Sequence, residues 1–579
     1  MRSERIHQWL LGVPVALALV LTGCLGPLAK RLADRETYPI IAHKQQQVLG
    51  ESEAFTIEPE DTELTETVLT EAGFSSDEFT TSGLVISLRD ALALAFDNNR
   101  EYQERKEDLY LAALDLTEER YDFSPIFSNL ISASATREPG TRMRLIEEVI
   151  QTEDPLTGDI VETIETRTQS RSVAERFGQL DSSIGVSKLF ATGARVTVNF
   201  TNRLLRFYSG DRRQSESSLL GASVVQPLLE GGGMTVTLEN MRQAERDVIY
   251  AARAFARFQR RFVVEQISNY FRLLQAHDEI NNEFQSYTRL RILRERAEAF
   301  EREERWATFQ VDQALQDEIR ARDRWTNAKT EFQLRLDQFK VDLGLPTELN
   351  IQPSPEELDD LREQGVVELF YNLAQAEEIA LADRLDYKTA VDLVEDSDRR
   401  IKIAENSLLP VLDARFDYEL PSSADNQPFD FDYGSRRYTG SLDLELPLDR
   451  KLQRNDYRRA QIGAQSRERN AEETRDEIVR QVRGAYRNLD QSRISYQIQQ
   501  EAERLARRRV DSVKMLLEAI GREDVNIRDQ LEAERALLST QNDLTNQLVN
   551  YTIARLAFYN AIEQLDVDVE DAWYDIPDN

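Results

Sequence analysis

The spacing of apolar residues alternates between two periods along this chain, and the order of alternation itself repeats. From Ala91 to Glu119 apolar residues recur at helical spacing. Ser87-Leu88-Arg89-Asp90 opens that stretch as a capping-box signature, and Pro125 stops it. Over 126–229 the period drops to two. Val196, Val198 and Phe200 alternate there with Arg195, Thr197, Asn199 and Thr201, and Ala191-Thr192-Gly193 reads as the turn joining this strand to 183–190. A further strand is predicted over about 219–228. Helical spacing then returns from about 236 to 302, with Phe255, Phe258, Phe262, Ile267, Phe271 and Leu274 on one stripe. At about 1.5 Å per residue such a helix reaches roughly 100 Å. A globular domain has no use for that length; a coiled-coil wall has. The chain turns near Arg305-Trp306-Ala307-Thr308 and returns through a shorter helix to Leu343, closed by Gly344 and Pro346.

The same order of elements follows a second time. Tyr102 and Pro125 recur as Tyr387 and Pro410; Asn240, Gln266 and Arg272 recur as Asn455, Gln481 and Arg487; Phe332, Phe339 and Leu343 recur as Tyr551, Phe558 and Ile562, with spacings kept in each set. The second copy has the clearer strands. Leu412, Ala414, Phe416, Tyr418 and Leu420 share one face against Asp413, Arg415, Asp417 and Glu419, and Leu442, Leu444, Leu446 and Leu448 stand against Asp443 and Glu445. Apolar residues outward to lipid and charged residues inward to a lumen is the pattern of an outer-membrane barrel. A second long helix is predicted from about 455 to 519, with a turn at Ile520-Gly521-Arg522 and a return to about 564. The repeat is near 220 residues, far from the 20–50 of a solenoid.

The predicted organisation is a signal peptide over 1–23, a lipidated extended segment over 24–85 and a first repeat over 86–345 (β segment 126–229, coiled-coil hairpin 236–343). A connector over 346–383, a second repeat over 384–565 (β segment 411–449, hairpin 453–564) and a tail over 566–579 follow. The fold class expected is mainly α with a membrane β-barrel. Beyond the first segment no run of 18 apolar residues exists, so any crossing of a membrane falls to a closed barrel. Four to six strands in one chain cannot close alone, and open edges are forbidden in lipid, so several chains must share one barrel.

Charge narrows the partners. Of 579 residues, 104 are acidic and 72 basic, a formal −32, which leaves no basic stripe for nucleic acid. The acidity reads either as solubility for a large assembly or as the lining of a water-filled path. Catalytic chemistry is absent: His43 and His277 stand far apart without ligand-spaced companions, and no nucleophile elbow, cysteine nucleophile or dinucleotide fingerprint occurs. Gly231-Gly232-Gly233 lacks the lysine of a phosphate loop and is read as backbone freedom at a strand-to-helix bend. Asp430 and Asp432, in the aromatic-rich loop 429–433, are read as solvated rather than as a calcium site. No cofactor is expected.

At the start, Arg2 and Arg5 precede an apolar run over 9–21 that is too short to span a membrane. It ends in Leu21-Thr22-Gly23-Cys24, which resembles the lipobox of bacterial lipoproteins, and Cys24 is the only cysteine in the chain. That resemblance implies cleavage before Cys24 and its acylation; Leu25 after it implies sorting to the outer membrane.

The whole from Ser87 to Leu565 resembles the TolC-like outer-membrane factors. The carriers are Ser87-Leu-Arg-Asp-Ala-Leu-Ala-Leu-Ala-Phe-Asp-Asn-Asn99, Gln226-Pro-Leu-Leu-Glu-Gly-Gly-Gly233, Leu343-Gly-Leu-Pro346 and the duplicated order of elements. The resemblance implies a homotrimer, with a shared barrel in outer-membrane lipid and an α-barrel across the periplasm. It implies a passive exit duct of a tripartite efflux or type I secretion system, met at its helical tips by a periplasmic adaptor (membrane fusion protein) and driven by an inner-membrane pump. It also implies a constriction at the second hairpin, where Arg522 and Asp529 fall on the family's arginine and an acidic ring position. Asn526 stands where another Asp is common, and Arg305 and Asp312 hold the equivalent places in the first repeat. Asp529 also reads as an ordinary solvated helix acid. Against the duct stands a lipid-anchored, periplasm-spanning coiled-coil scaffold without channel activity. The insertion over about 137–182, with the hairpin 183–204, is expected either to enlarge the barrel or to form an outer lid.

Overall fold

A computed structural model describes residues 25–50, 55–58, 65, 67–68, 83–153, 160–208, 214–304, 306–367, 370–423, 429–518, 527–568 and 573–575. The chain divides into one unit of residues 1–114, 246–395 and 465–579, and a second of residues 115–245 and 396–464. Among the described residues the longer helices are α1 (Leu25–Leu49), α2 (Leu88–Asn98), α3 (Arg100–Tyr121), α4 (Glu239–Arg302), α5 (Thr308–Asp342), α6 (Glu356–Gln364), α7 (Leu373–Asp383), α8 (Leu385–Asn406), α9 (Lys451–Glu518) and α10 (Ile527–Ala561). The strands are β1 (Leu84–Ile86), β2 (Ile126–Glu153), β3 (Ile160–Leu189), β4 (Arg195–Phe207), β5 (Gln214–Pro227), β6 (Ile351–Pro353), β7 (Val411–Pro421), β8 (Arg437–Glu445), β9 (Asp566–Asp568) and β10 (Trp573–Asp575). The fold is mainly α with one large sheet, as the sequence pattern predicts.

That sheet belongs to the second unit and runs β2-β3-β4-β5-β7-β8, antiparallel throughout. Because paired residues point to the same side, the register sorts its two faces. One row links Phe127, Val186, Val198, Ala222, Tyr418 and Tyr438. The next links Asn129, Ile184, Phe200, Leu220 and Leu420. Rows of the opposite parity carry Ser128, Gly185, Asn199, Gly221 and Glu419, then Thr197, Ser223 and Asp417. Apolar side chains on the first face are open: Phe127 is 79% exposed and Leu442 70%. The polar face satisfies itself, with Arg203 Nε 3.0 Å from Asp181 and Ser223 Oγ donating to Asp417 at 2.7 Å. Strand β7 has 11 residues and β8 has 9, the length a tilted strand needs to cross hydrocarbon.

The turn expected at 191–193 is there. Phe190 and Ala194 close it at 2.8 Å, and Gly193 takes φ +89° where an added Cβ would lie 3.0 Å from Pro227 Cγ and Thr237 Oγ1. Two sequence expectations change. Strand β8 ends at Glu445, leaving Leu446 and Leu448 outside the ladder. Pro447 between them has no N–H to donate, which ends pairing there. Within the insertion over 137–182, left open between an enlarged barrel and a lid, residues 137–153 and 160–182 continue β2 and β3 as an antiparallel pair from Ile126↔Ser187 to Glu153↔Ile160.

In the other unit the long aromatic stripe lies in the chain's own core. Phe255, Phe258, Phe262, Ile267, Phe271 and Leu274 of α4 are all buried. Tyr102 of α3 lies 5.2 Å from Phe262 and 5.7 Å from Phe255, centroid to centroid, and Phe96 of α2 lies 5.9 Å from Phe262. The stripe is thus covered within one chain. Tyr270 holds the parallel β1–β6 pair: its hydroxyl donates to Ile86 O and accepts from Ser354 N, both at 3.1 Å. Ser87 caps α2 in the predicted box with Asp90.

Residues 25–49, expected to be extended, form a helix. Thr37, Ile41 and Gln45 recur every four residues and are buried, while Tyr110 donates to Asp34 at 2.7 Å and its ring lies 5.7 Å from that of Tyr38, tilted by 59°. Two of the three buried positions are polar, which hides the helical period from a hydrophobicity reading.

Candidate functional site

The free ends of the two helical hairpins carry the arrangement with most to do. In the first hairpin, Leu290, Leu293 and Ala297 of α4 meet Ala314 and Ala321 of α5, and Ile527 and Leu531 of α10 complete the same cluster. The steps of three, four and seven residues are those of a coiled-coil seam, and the alanines let the helix backbones approach. In the second hairpin, Ala506 and Val510 of α9 pack on Ala533 and Leu537 of α10.

Charges are folded into this packing. Arg289 Nε of α4 lies 2.6 Å from Glu534 of α10, and Arg535 of α10 pairs with Asp317 of α5. Arg320 adds a longer contact to Asp317 at 3.6 Å. Arg294 joins Glu298 and Glu318, and Arg324 Nε lies 3.1 Å from Glu283. Asp317, Glu534 and Glu283 are buried. Burial pushes the Glu283 carboxyl up, against the opposing pull of Arg324. Two of these links tie α10 of the second hairpin to the first hairpin. Their geometry is incomplete: Asp317 Oδ2 and Arg289 Nη2 are buried without a hydrogen-bond partner among the described residues. Each leaves a desolvated polar atom that costs about 1–3 kcal/mol, so the docked arrangement is held but not optimised.

Of the residues singled out by sequence, Asp529 sits half-buried in the first turn of α10, where a helix N-terminus favours an anion, and Asp312 is exposed near the start of α5. Arg305, Arg522, Asn526 and Cys24 lie outside the described residues. The pairs Arg289–Glu534 and Arg535–Asp317, whose carboxylates are buried, were not legible, because their partners stand 245 and 218 positions apart in sequence. A charged residue at a seam position was the only available signal. No cluster of His, Cys, Asp and Glu able to hold a metal occurs among the described residues, and no described helix is long and apolar enough to cross a membrane.

Residues 378–563 match the family described as outer membrane efflux protein. Over that stretch, most of the second repeat, the chain is similar to that family. Its fold is that of several solved channels at low identity. A membrane protein from Pseudomonas aeruginosa is 15% identical at a TM-score of 0.58, over 85% of this chain and 96% of that one. The Campylobacter jejuni CmeC outer membrane channel is 14% identical at 0.55, over 85% and 91%. The open state of the Neisseria gonorrhoeae MtrE outer membrane channel is 12% identical at 0.55, over 85% and 94%. No curated protein matches the sequence. The matched family and these solved neighbours are outer-membrane proteins.

Proposed function

We propose that the chain is one third of a passive exit duct: a trimer whose sheets close one barrel in the outer membrane. Its hairpin ends meet a periplasmic adaptor, and an inner-membrane pump supplies the energy. The observation that carries this reading is the two-faced sheet. Six strands with an apolar face open on one side and a hydroxylated, charged face on the other have two unpaired edges, β2 and β8. Such edges have no place in lipid unless further copies close them. A periplasmic scaffold without a channel has no use for a face like this.

In the same reading Cys24 carries the acyl chains that add to the barrel's hold on the membrane; a single chain anchors only marginally, more than one stably. Cys24→Ser should leave an unacylated chain, seen by mass spectrometry as loss of the lipid increment. An unmodified thiol in the wild type would remove the anchor from the account.

The constriction is assigned to Arg522, Asn526 and Asp529, with Arg305 and Asp312 as their counterparts in the first repeat. Three copies of Asp529 around one axis would concentrate negative charge and attract cations. Exposed ion pairs from Arg522 contribute only about 0–1 kcal/mol each, so a closed state resting on a few of them opens readily. Arg522→Glu should raise single-channel conductance in planar bilayers, and Asp529→Ala should lower cation preference. Arg535→Ala, which leaves buried Asp317 with Arg320 alone at 3.6 Å, should raise conductance as well. Wild-type conductance and selectivity in all three would move the constriction elsewhere.

A further inference from the structure

The two repeats supply unequal numbers of strands to the sheet. The second repeat gives β7 and β8; the first gives β2, β3, β4 and β5. Equal repeats would provide four strands per chain and twelve in a threefold barrel. Whether the extra pair belongs to the wall or stands off it as a cover is decided by register and by the character of its faces.

Both place it in the wall. Strand β3 pairs with β4 without interruption from Phe177↔Phe207 to Leu189↔Arg195, and β2 pairs with β3 over that span as far as Ser187. Over the same rows the extra strands keep the sheet's two faces. Phe127, Ile131, Ala133, Ile184 and Val186 fall on the apolar side with Asn129 and Ser182 among them, and Ser128, Ser132, Ser183 and Ser187 fall on the polar side with Ile126 and Leu130 the large apolar exceptions on β2. Phe127 and Ile131 are 79% and 65% exposed on that apolar side. A cover lying in water has no reason to present them; a strand facing lipid does.

We propose that three copies close an eighteen-stranded barrel, the outer edge of β2 in each copy pairing with the outer edge of β8 in the next. This rests on the duct reading above. Barrel diameter grows roughly linearly with strand number. At a tilt near 40° and about 4.7 Å between strands, eighteen strands give roughly 35 Å across the backbone, against roughly 24 Å for twelve. The wider barrel falls in the class that keeps an aqueous channel open past its own side chains. The lumen wall mixes signs, with Arg195, Arg203 and Arg415 among Asp181, Asp413, Asp417 and Glu419. Width without a one-signed field suits bulky hydrated cargo and leaves selection by size and charge to the helical end.

Strand β8 has nine residues and β2 twenty-eight, so a neighbouring β8 covers only the base of β2. The rungs from Arg137↔Arg176 to Glu153↔Ile160 lie beyond the last partner on β4 and stand above the rim as a two-stranded ribbon. At about 3.3 Å per residue its length is roughly 55 Å.

The test images the detergent-purified full-length complex by electron cryomicroscopy, with its mass measured in the same preparation. Eighteen strands in a trimer is the result expected. A trimer with a twelve-stranded barrel and β2–β3 off the wall overturns the inference and leaves the duct intact. A complex that is not a trimer overturns the duct reading beneath it. Disulfide scanning gives an independent readout in membranes: Leu442→Cys combined in turn with Phe127→Cys, Asn129→Cys, Ile131→Cys, Ala133→Cys and Ala135→Cys. One register in the series should yield covalently linked copies. No linkage anywhere along it would count against the β2–β8 seam.

Discussion

Phe262→Asp should yield no folded protein. The ring is 3% exposed and sits among Tyr102, Phe258 and Phe96 at centroid distances of 5.2, 5.7 and 5.9 Å. Removing a buried phenylalanine side chain costs about 3–5 kcal/mol. Leaving an unpaired carboxylate in its place adds several more, and whole domains are stable by only about 5–15 kcal/mol. Loss of the helical circular-dichroism signal and rapid trypsin digestion would report the collapse. Because this stripe is covered within one chain, the defect should appear before assembly, as absence of folded monomer and not as folded monomer unable to trimerise. A Phe262→Asp chain that keeps wild-type helicity and melting would remove the stripe from the core.

Gly344→Ala should be nearly as damaging for a single methyl group. Gly344 closes α5 at φ +72°, where non-glycine residues cost about 1–2 kcal/mol. An added Cβ would also overlap the carbonyl of Asn98, with Asn98 Cβ only 2.8 Å away. Asn98 is the last residue of α2, and its neighbour Asn99 already donates to Asp342 O at 2.7 Å, so the backbone there has little freedom to retreat. Gly365 provides the control: it has φ +61° with nothing within 4 Å of an added Cβ, so Gly365→Ala carries the backbone cost alone. The expected order in chemical denaturation is wild type, then Gly365→Ala, then Gly344→Ala lower by a further ~2 kcal/mol or more, the order of an overpacked site. Equal midpoints for the two alanine variants would mean that the Asn98 contact yields without cost.

What the sequence made legible was local and periodic. The alternation over 412–420 predicts a two-faced strand, and the sheet keeps Leu412, Ala414, Phe416, Tyr418 and Leu420 on one side, paired with Leu220, Ala222, Val224, Tyr438, Leu442 and Leu444 among others. The long helices followed from apolar spacing sustained over many turns, and the capping box at Ser87 forms as written. What stayed hidden depends on partners remote in sequence. Helix α1 buries Thr37 and Gln45 beside Ile41, so its inner face does not look apolar. Strands β2 and β3 contain Pro139 and Gly140 and mixed charges, and only their mutual register reveals a hairpin. At the hairpin ends the pairs with buried carboxylates join α10 to α4 and α5, which no spacing within one helix announces. Family likeness pointed to the turns of the hairpins; packing added the seams behind them.

On the barrel proposed above, the ribbon formed by the far ends of β2 and β3 would make the protein's first encounter with the world outside the cell a backbone affair. Beyond Arg176, whose carbonyl accepts from Tyr208 N, neither margin of the ribbon has a strand partner among the described residues, and Val149, Ile160 and Ile164 are exposed on it. Antibodies, bacteriophages and shaving proteases would all reach this segment before anything embedded below it. Variation imposed by such predators would accumulate in residues that bear no duty in transport. A bacterium carrying this chain can therefore change its outward face at little expense to what passes through.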